Sequence, residues 1–319
     1  MKLKWLAFSM VMVSSWFQHE SIAQENINTF PFQFFHTEVE YKKVKLAYID
    51  SKPQKANGKS LILFHGKNFS SFYWMEVIRF LNEHGYRVIA PDQLGFGRSD
   101  KPDIHYSFHQ MAANSKELLD SLQIKKVAVI GHSMGGILAT RFTLMFPEAV
   151  EKLILENPIG LEDYKTFVPY KSLTDLHAQE LSATYESYKK YQQTYYPEWK
   201  PEYEVLVEEQ AKALKDPDFR SIAWANALTY QMIYEQPVVY EFQNIKIPVL
   251  LIIGTLDRTI VGKGSLPKKE QEVYGQYQVL GKRTAEKIRG SKLIELRHIG
   301  HIPHIQDPAA FRKSVLAFL

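Results

Sequence analysis

A serine with glycines two positions before and two positions after it, Gly131-His132-Ser133-Met134-Gly135, follows directly on the apolar run 127–130. Small residues at that spacing let a strand turn sharply into a helix and lift the hydroxyl above the sheet edge, as a nucleophile requires. Residues 136–146, halted by Pro147, read as the helix that follows. Its N-terminus would aim free amides and the positive end of the helix dipole at charge developing beside Ser133. A serine hydroxyl attacks poorly until a histidine takes its proton, and that histidine needs a carboxylate to fix its tautomer and stabilise its charged form. His301, in Arg297-His298-Ile299-Gly300-His301-Ile302-Pro303, is the candidate base. Asp257, in Gly254-Thr255-Leu256-Asp257-Arg258, is the candidate acid. Each lies just past an apolar, strand-like run. Glu156, at the end of the strand after the elbow helix, is the alternative acid.

Acyl transfer also builds a negative oxygen that needs two preorganised donors. One is expected to be the backbone amide of Met134. The other is expected from His65-Gly66-Lys67-Asn68-Phe69, with the Lys67 amide first and Asn68, through amide or side chain, second. Lys67 also puts a cation where it can steer an anionic substrate or face the oxyanion. His298, His301 and His304 are spaced in threes, but Pro303 disrupts the helix that would align them and no neighbouring acid completes a metal-ligand set. The stretch from Asp92 to Asp100 lacks the third glycine of a dinucleotide fingerprint, and Gly58-Lys59-Ser60 lacks the first glycine of a P-loop. Both read as structural turns. Asn68-Phe69-Ser70 matches a glycosylation pattern but falls inside the candidate site. No cofactor is called for.

These side chains need a scaffold that brings distant loops to one rim. Short apolar runs alternate with amphipathic stretches, the pattern of a largely parallel sheet covered by helices. Strands are predicted at 35–39, 44–49, 61–64, 87–90, 127–130, 153–155, 249–253 and 293–296, the first two as an antiparallel edge hairpin. Helices are predicted at 73–83, 110–122, 137–146, 283–288 and 308–318. Residues 158–236 contain no convincing buried strand and read as an inserted helical cap between core segments 24–157 and 237–319. Within it, Leu173, Leu176, Leu181, Tyr185, Tyr188 and Tyr195 recur at helical spacing behind a Ser172–Asp175 start, with Pro197 as the stop. A later helix carries Phe219, Ile222, Ala223, Asn226, Tyr230 and Ile233 on one face. The tyrosines between Tyr164 and Tyr203 are expected mainly to pack rather than to touch ligand.

Taken together in this order, the motifs resemble those of capped α/β-hydrolases. His65-Gly66, the turn from Asp92 to Ser99, Gly131 to Gly136, Gly254 to Asp257 and Gly300 to Pro303 carry the resemblance, over residues 35–319. It implies an eight-stranded, mostly parallel sheet flanked by helices, a lid inserted after the sixth strand, and a serine, acid, histidine triad of Ser133, Asp257 and His301. Serine at the nucleophile position sets the chain apart from dehalogenases and epoxide hydrolases, which use aspartate. The His65 to Phe69 loop departs from the His-Gly-x-Pro and glycine-rich versions common in that family.

The basic start Met1-Lys2-Leu3-Lys4-Trp5, an apolar stretch over 6–17 and the small-residue site Ser21-Ile22-Ala23 read as a secretory leader over residues 1–23. The apolar stretch is too short to be a retained span. Export to a periplasm or beyond the cell is therefore expected. A formal charge of +4 over 319 residues, without a dense basic block, gives no case for a nucleic-acid partner. With Cys at 0, disulfides, thiolate metal sites and a cysteine nucleophile are excluded. The expected activity is hydrolysis of an ester or related acyl bond of a small, apolar or aromatic substrate. The same triad also serves hydrolases that cleave carbon-carbon bonds of diketone-like substrates, and a non-catalytic ligand receptor can retain this fold.

Overall fold

The computed structural model describes residues 30–319; the leader expected over 1–23 lies outside them. Residues Phe32–Leu319 form one compact unit built on an eight-stranded sheet of order β1-β2-β4-β3-β5-β6-β7-β8. The strands are β1 (Phe32–Val39), β2 (Lys42–Ser51), β3 (Ser60–Phe64), β4 (Arg87–Pro91), β5 (Val127–His132), β6 (Val150–Glu156), β7 (Val249–Gly254) and β8 (Lys292–Leu296). β1 pairs antiparallel with β2, and β2 antiparallel with β4. Every other pairing is parallel. The eight predicted strands are all present, each longer by a residue or more at one or both ends.

Burial accounts for the sequence pattern of each strand. β5 and β7 are buried at every position, because helices cover both faces of a parallel sheet, and they read as unbroken apolar runs. β1, at the sheet edge, alternates between partly buried and exposed positions over most of its length. The register then sets the position of the loops that follow. Phe64 lies opposite Gly131, His132 opposite Glu156, Glu156 opposite Ile252, and Gly254 opposite Leu296. The carboxyl ends of β3, β5, β6, β7 and β8 therefore share one rim, where open parallel sheets bind ligands.

The helix Met134–Met145 follows β5 after a single residue and is apolar apart from Thr140, Arg141 and Thr143, since it packs against β3, β5, β6 and the helix Phe108–Ser121. Its first turn can approach the sheet because residue 135 has no side chain. A Cβ there would stand 2.0 Å from the Phe64 carbonyl oxygen.

Between β6 and β7 the described chain forms helices and short 3-10 turns and no strand. The helical stretch expected from Leu173 to Tyr195 is two helices, Leu173–Leu181 and Tyr185–Gln193. Ser172 accepts from the Asp175 amide to start the first, and Thr184 with Ser187 forms a capping box that starts the second. The helix Phe219–Glu235 packs on Leu173–Leu181, while Tyr185–Gln193 packs on a further helix, Glu204–Ala211, that the sequence reading did not include. No helix among the described residues is long and apolar enough to cross a membrane.

Candidate active site

Ser133 sits between β5 and its helix with φ 55° and ψ −121°, a backbone conformation that L-residues rarely adopt. Its carbonyl accepts from the Gly136 amide at 2.8 Å and the Ile159 amide at 3.1 Å, and its own amide donates to the Glu156 carbonyl at 3.2 Å. The elbow is thus held from both sides. The hydroxyl lies 2.9 Å from His301 Nε2, and His301 Nδ1 lies 2.7 Å from Asp257 Oδ2. Asp257 Oδ1 accepts from the Thr259 amide at 2.9 Å. All three residues are buried, with exposures of 6%, 0% and 2%. With Nδ1–H donated to the carboxylate, Nε2 is left as the acceptor facing the serine hydroxyl.

Glu156 has a different partner. Its Oε1 accepts from the His304 amide at 2.7 Å and lies 2.9 Å from His304 Nδ1. His304 stacks on Trp74, with ring centroids 4.3 Å apart. The two candidate acids thus serve two different histidines, and the one that meets His301 is Asp257. The three histidines spaced in threes are also separated in role, since His298 is exposed. Among the described residues no group of three or more histidines and carboxylates converges as a metal site.

The loop after β3 lies beside the serine: a Cβ on Gly66 would stand 3.1 Å from Ser133 Cβ. The backbone amides of Lys67 and Met134 donate to no acceptor among the described residues. The Asn68 side chain is not free in this way, because its Nδ2 donates to the Tyr195 hydroxyl at 2.8 Å. Of the options for that loop, the Lys67 and Asn68 amides both lack an acceptor among the described residues, and Asn68 Nδ2 keeps a second N–H beside the one given to Tyr195. The Lys67 ammonium reaches toward the insertion, 3.9 Å from Glu180 Oε1.

Several supporting residues carried no flag in the sequence reading. His132 occupies the variable position before the nucleophile and is fully buried. Its Nε2 lies 2.8 Å from the His301 carbonyl, so Nε2 carries the proton, and Nδ1 accepts from the Tyr73 hydroxyl at 3.0 Å. That hydroxyl in turn accepts from the Gly66 amide at 2.8 Å. One line of hydrogen bonds therefore ties the Gly66 loop to the main chain of His301. Burial, with repulsion from the neighbouring His301 and His304, holds the His132 imidazole well below its ordinary value, in the neutral form that this line requires. Burial likewise lowers His65, whose Nε2 accepts from the Gln93 amide at 3.0 Å while Nδ1 donates to the Gly66 carbonyl at 2.9 Å. Tyr73→Phe would leave the Gly66 amide and His132 Nδ1 without partners. It is expected to lower unfolding free energy by about 2 kcal/mol. A urea midpoint equal to that of the unaltered protein would count against this network.

Asn157 joins the two loops that bring the acid and the base. Its Oδ1 accepts from the Gly254 amide at 2.8 Å and its Nδ2 donates to the Gly300 carbonyl at 2.6 Å. The insertion supplies Tyr195, whose carbonyl accepts from the His301 amide at 2.7 Å and whose ring lies 4.7 Å from the His301 ring. Most of the tyrosines from Tyr164 to Tyr203 are buried packing residues, but Tyr195 packs against the site itself.

A family model described as the alpha/beta hydrolase fold matches residues 59–308. A solved structure of a probable hydrolytic enzyme from Pseudomonas aeruginosa PAO1 is 43% identical, with a TM-score of 0.89 over 91% of this chain and 95% of that one. A putative 2-succinyl-6-hydroxy-2,4-cyclohexadiene-1-carboxylate synthase from Bacillus subtilis is 26% identical over 86% of this chain and 95% of its own length. Two further relatives match over a third of this chain and less than half of their own length. An uncharacterised protein of Mycobacterium tuberculosis is 40% identical over 105 residues, 30% of its length. A 2-hydroxy-6-oxo-2,4-heptadienoate hydrolase from Pseudomonas putida is 35% identical over 108 residues, 39% of its length.

Proposed function

The chain belongs to the α/β-hydrolase family, and from that premise we propose that it is an exported serine hydrolase cleaving an ester or related acyl bond of a small molecule through an acyl-enzyme. The observation that carries this reading is the continuous buried line from the Ser133 hydroxyl through His301 to Asp257, at 2.9 Å and 2.7 Å. In the first half-reaction, Ser133 Oγ attacks the carbonyl carbon while His301 Nε2 takes its proton, and Asp257 stabilises the resulting imidazolium. The donors assigned to the oxygen that becomes negative are the amides of Met134 and Lys67, which have no acceptor among the described residues. His301 then returns the proton to the departing alkoxide. A water molecule repeats the sequence in reverse to release the acid. Export rests on the basic, apolar and small-residue pattern of the first 23 residues.

A fluorophosphonate probe tests the reading directly. It is expected to label the folded protein at Ser133 and to leave the Ser133→Ala protein unlabelled, in parallel with loss of short p-nitrophenyl ester hydrolysis. Folded protein that fails to label would point to a non-catalytic receptor. The likeness to the Pseudomonas putida hydrolase favours a second reading, cleavage of a carbon-carbon bond in a diketone-like substrate. Turnover of a vinylogous diketone without turnover of any ester would establish that reading in place of the first.

A further inference from the structure

Next to the Gly66 loop, a cleft of about 320 Å³ opens between the sheet rim and the inserted helices. Its apolar wall includes Phe69, Phe72 and Phe96, and its basic side includes Lys67, Arg98 and Lys101. We propose that this cleft binds an oxyanionic group, carboxylate or phosphate, carried by the substrate on the far side of its scissile bond from the Ser133 elbow. The proposal rests on the serine-hydrolase reading and adds a substrate class to it.

The charges on the two walls are unequally satisfied. On the insertion side, Glu209 is paired with Lys212, and Asp216 accepts from the Asp218 amide at 2.9 Å. On the core side, Lys101 Nζ donates at 2.8 Å to the carbonyls of Gly97 and Ser99 and has no carboxylate within ion-pair distance among the described residues. Burial holds its ammonium below the ordinary lysine value, against the opposing attraction of Asp92, Asp216, Asp100 and Asp218, none of which reaches it. Arg98 lies over the Phe32 ring, 4.0 Å from its centroid, and likewise has no carboxylate partner among the described residues. Lys67 has Glu180 at 3.9 Å, the outer limit of an ion pair, and the other oxygen of Glu180 is shared with Asn226 Nδ2 at 3.3 Å. An incoming anion would gain charge-assisted hydrogen bonds from a site that supplies few of its own. The cleft also adjoins the chemistry, since Lys67 and Asn68 belong to the loop that flanks Ser133.

Matched substrates test this. The mono-p-nitrophenyl ester of glutarate carries a terminal carboxylate that p-nitrophenyl pentanoate lacks, and acetoxybenzoate carries on its alcohol side the charge that phenyl acetate lacks. For one member of these pairs, kcat/KM is expected to exceed that of its neutral counterpart by about tenfold. That preference is expected to shrink with added salt, and to fall toward unity in Lys101→Met and in Lys67→Met. Equal values for both pairs, or a preference untouched by salt and by both variants, would overturn the proposal. Calorimetric titration of the Ser133→Ala protein with glutarate and with inorganic phosphate reads the cleft without turnover. Binding of one anion that is weakened by Lys101→Met supports the proposal and identifies its source, and binding of neither counts against it. If every ester fails as a substrate but glutarate binds in this way, the hydrolase reading is lost and the anion site stands.

Discussion

Asp257→Asn is expected to lower kcat about ten-thousand-fold on a short ester, while Glu156→Gln leaves kcat within about tenfold of the unaltered protein. Asparagine can occupy the same space, but it can present its amide to His301 Nδ1 and stabilise the tautomer that donates from Nε2, which cannot accept the serine proton. It also removes the charge that stabilises the imidazolium. Glutamine at 156 still accepts from the His304 amide and ring, now 2.7 and 2.9 Å from the carboxylate oxygen, so its principal cost should be to stability. Steady-state kinetics of the two variants side by side decide between the acids. A larger loss for Glu156→Gln than for Asp257→Asn would reverse the assignment.

Acidification from pH 7.5 to 5.5 is expected to destabilise the protein steeply, before its carboxylates titrate. His65 and His132 are fully buried and held below the ordinary histidine value near 6.5, in both cases chiefly by burial. A group with a depressed value binds fewer protons when folded than when unfolded, so stability is complete above the unfolded value and declines as pH falls below it. The decline continues until the folded imidazole itself protonates. While both remain neutral in the folded protein, the slope from each approaches about 1.4 kcal/mol per pH unit only below the unfolded value, so the pair lowers stability by about 3 kcal/mol over the whole interval. Urea unfolding at half-unit intervals measures this, and His132→Asn should remove about half of the slope. A midpoint independent of pH across that interval would show that the buried rings titrate as they do in the unfolded chain.

The sheet was readable because both faces of its inner strands are covered, so β5 and β7 contain hardly any polar residue to blur the pattern. The insertion was less so. Glu204–Ala211 buries only Leu206 and Val207, two adjacent residues, which leaves little periodicity to detect. The break at Ser182-Ala183-Thr184 was hidden by apolar and tyrosine spacing that continues across it, although the Thr184 capping box marked the second start. In the site, Ser133, Asp257 and His301 could be read because each follows a strand end. The residues that hold them could not be read in the same way. His132 reaches its partners across 59 and 169 residues, and Asn157 bridges loops 97 and 143 residues away. Such pairings depend on strand register, which no local pattern encodes. A buried polar residue at the end of a core strand, such as Asn157 directly after β6, is the available clue.

The hydrogen bond from the His301 amide to the Tyr195 carbonyl bears on how such enzymes diversify. Lids are usually regarded as exchangeable modules that alter selectivity above an independent catalytic base. Here a main-chain group of the segment between β6 and β7 holds the main chain of His301, and if His301 is the base proposed above, a foreign segment grafted at the same junctions is expected to forfeit turnover along with selectivity unless it recreates that carbonyl.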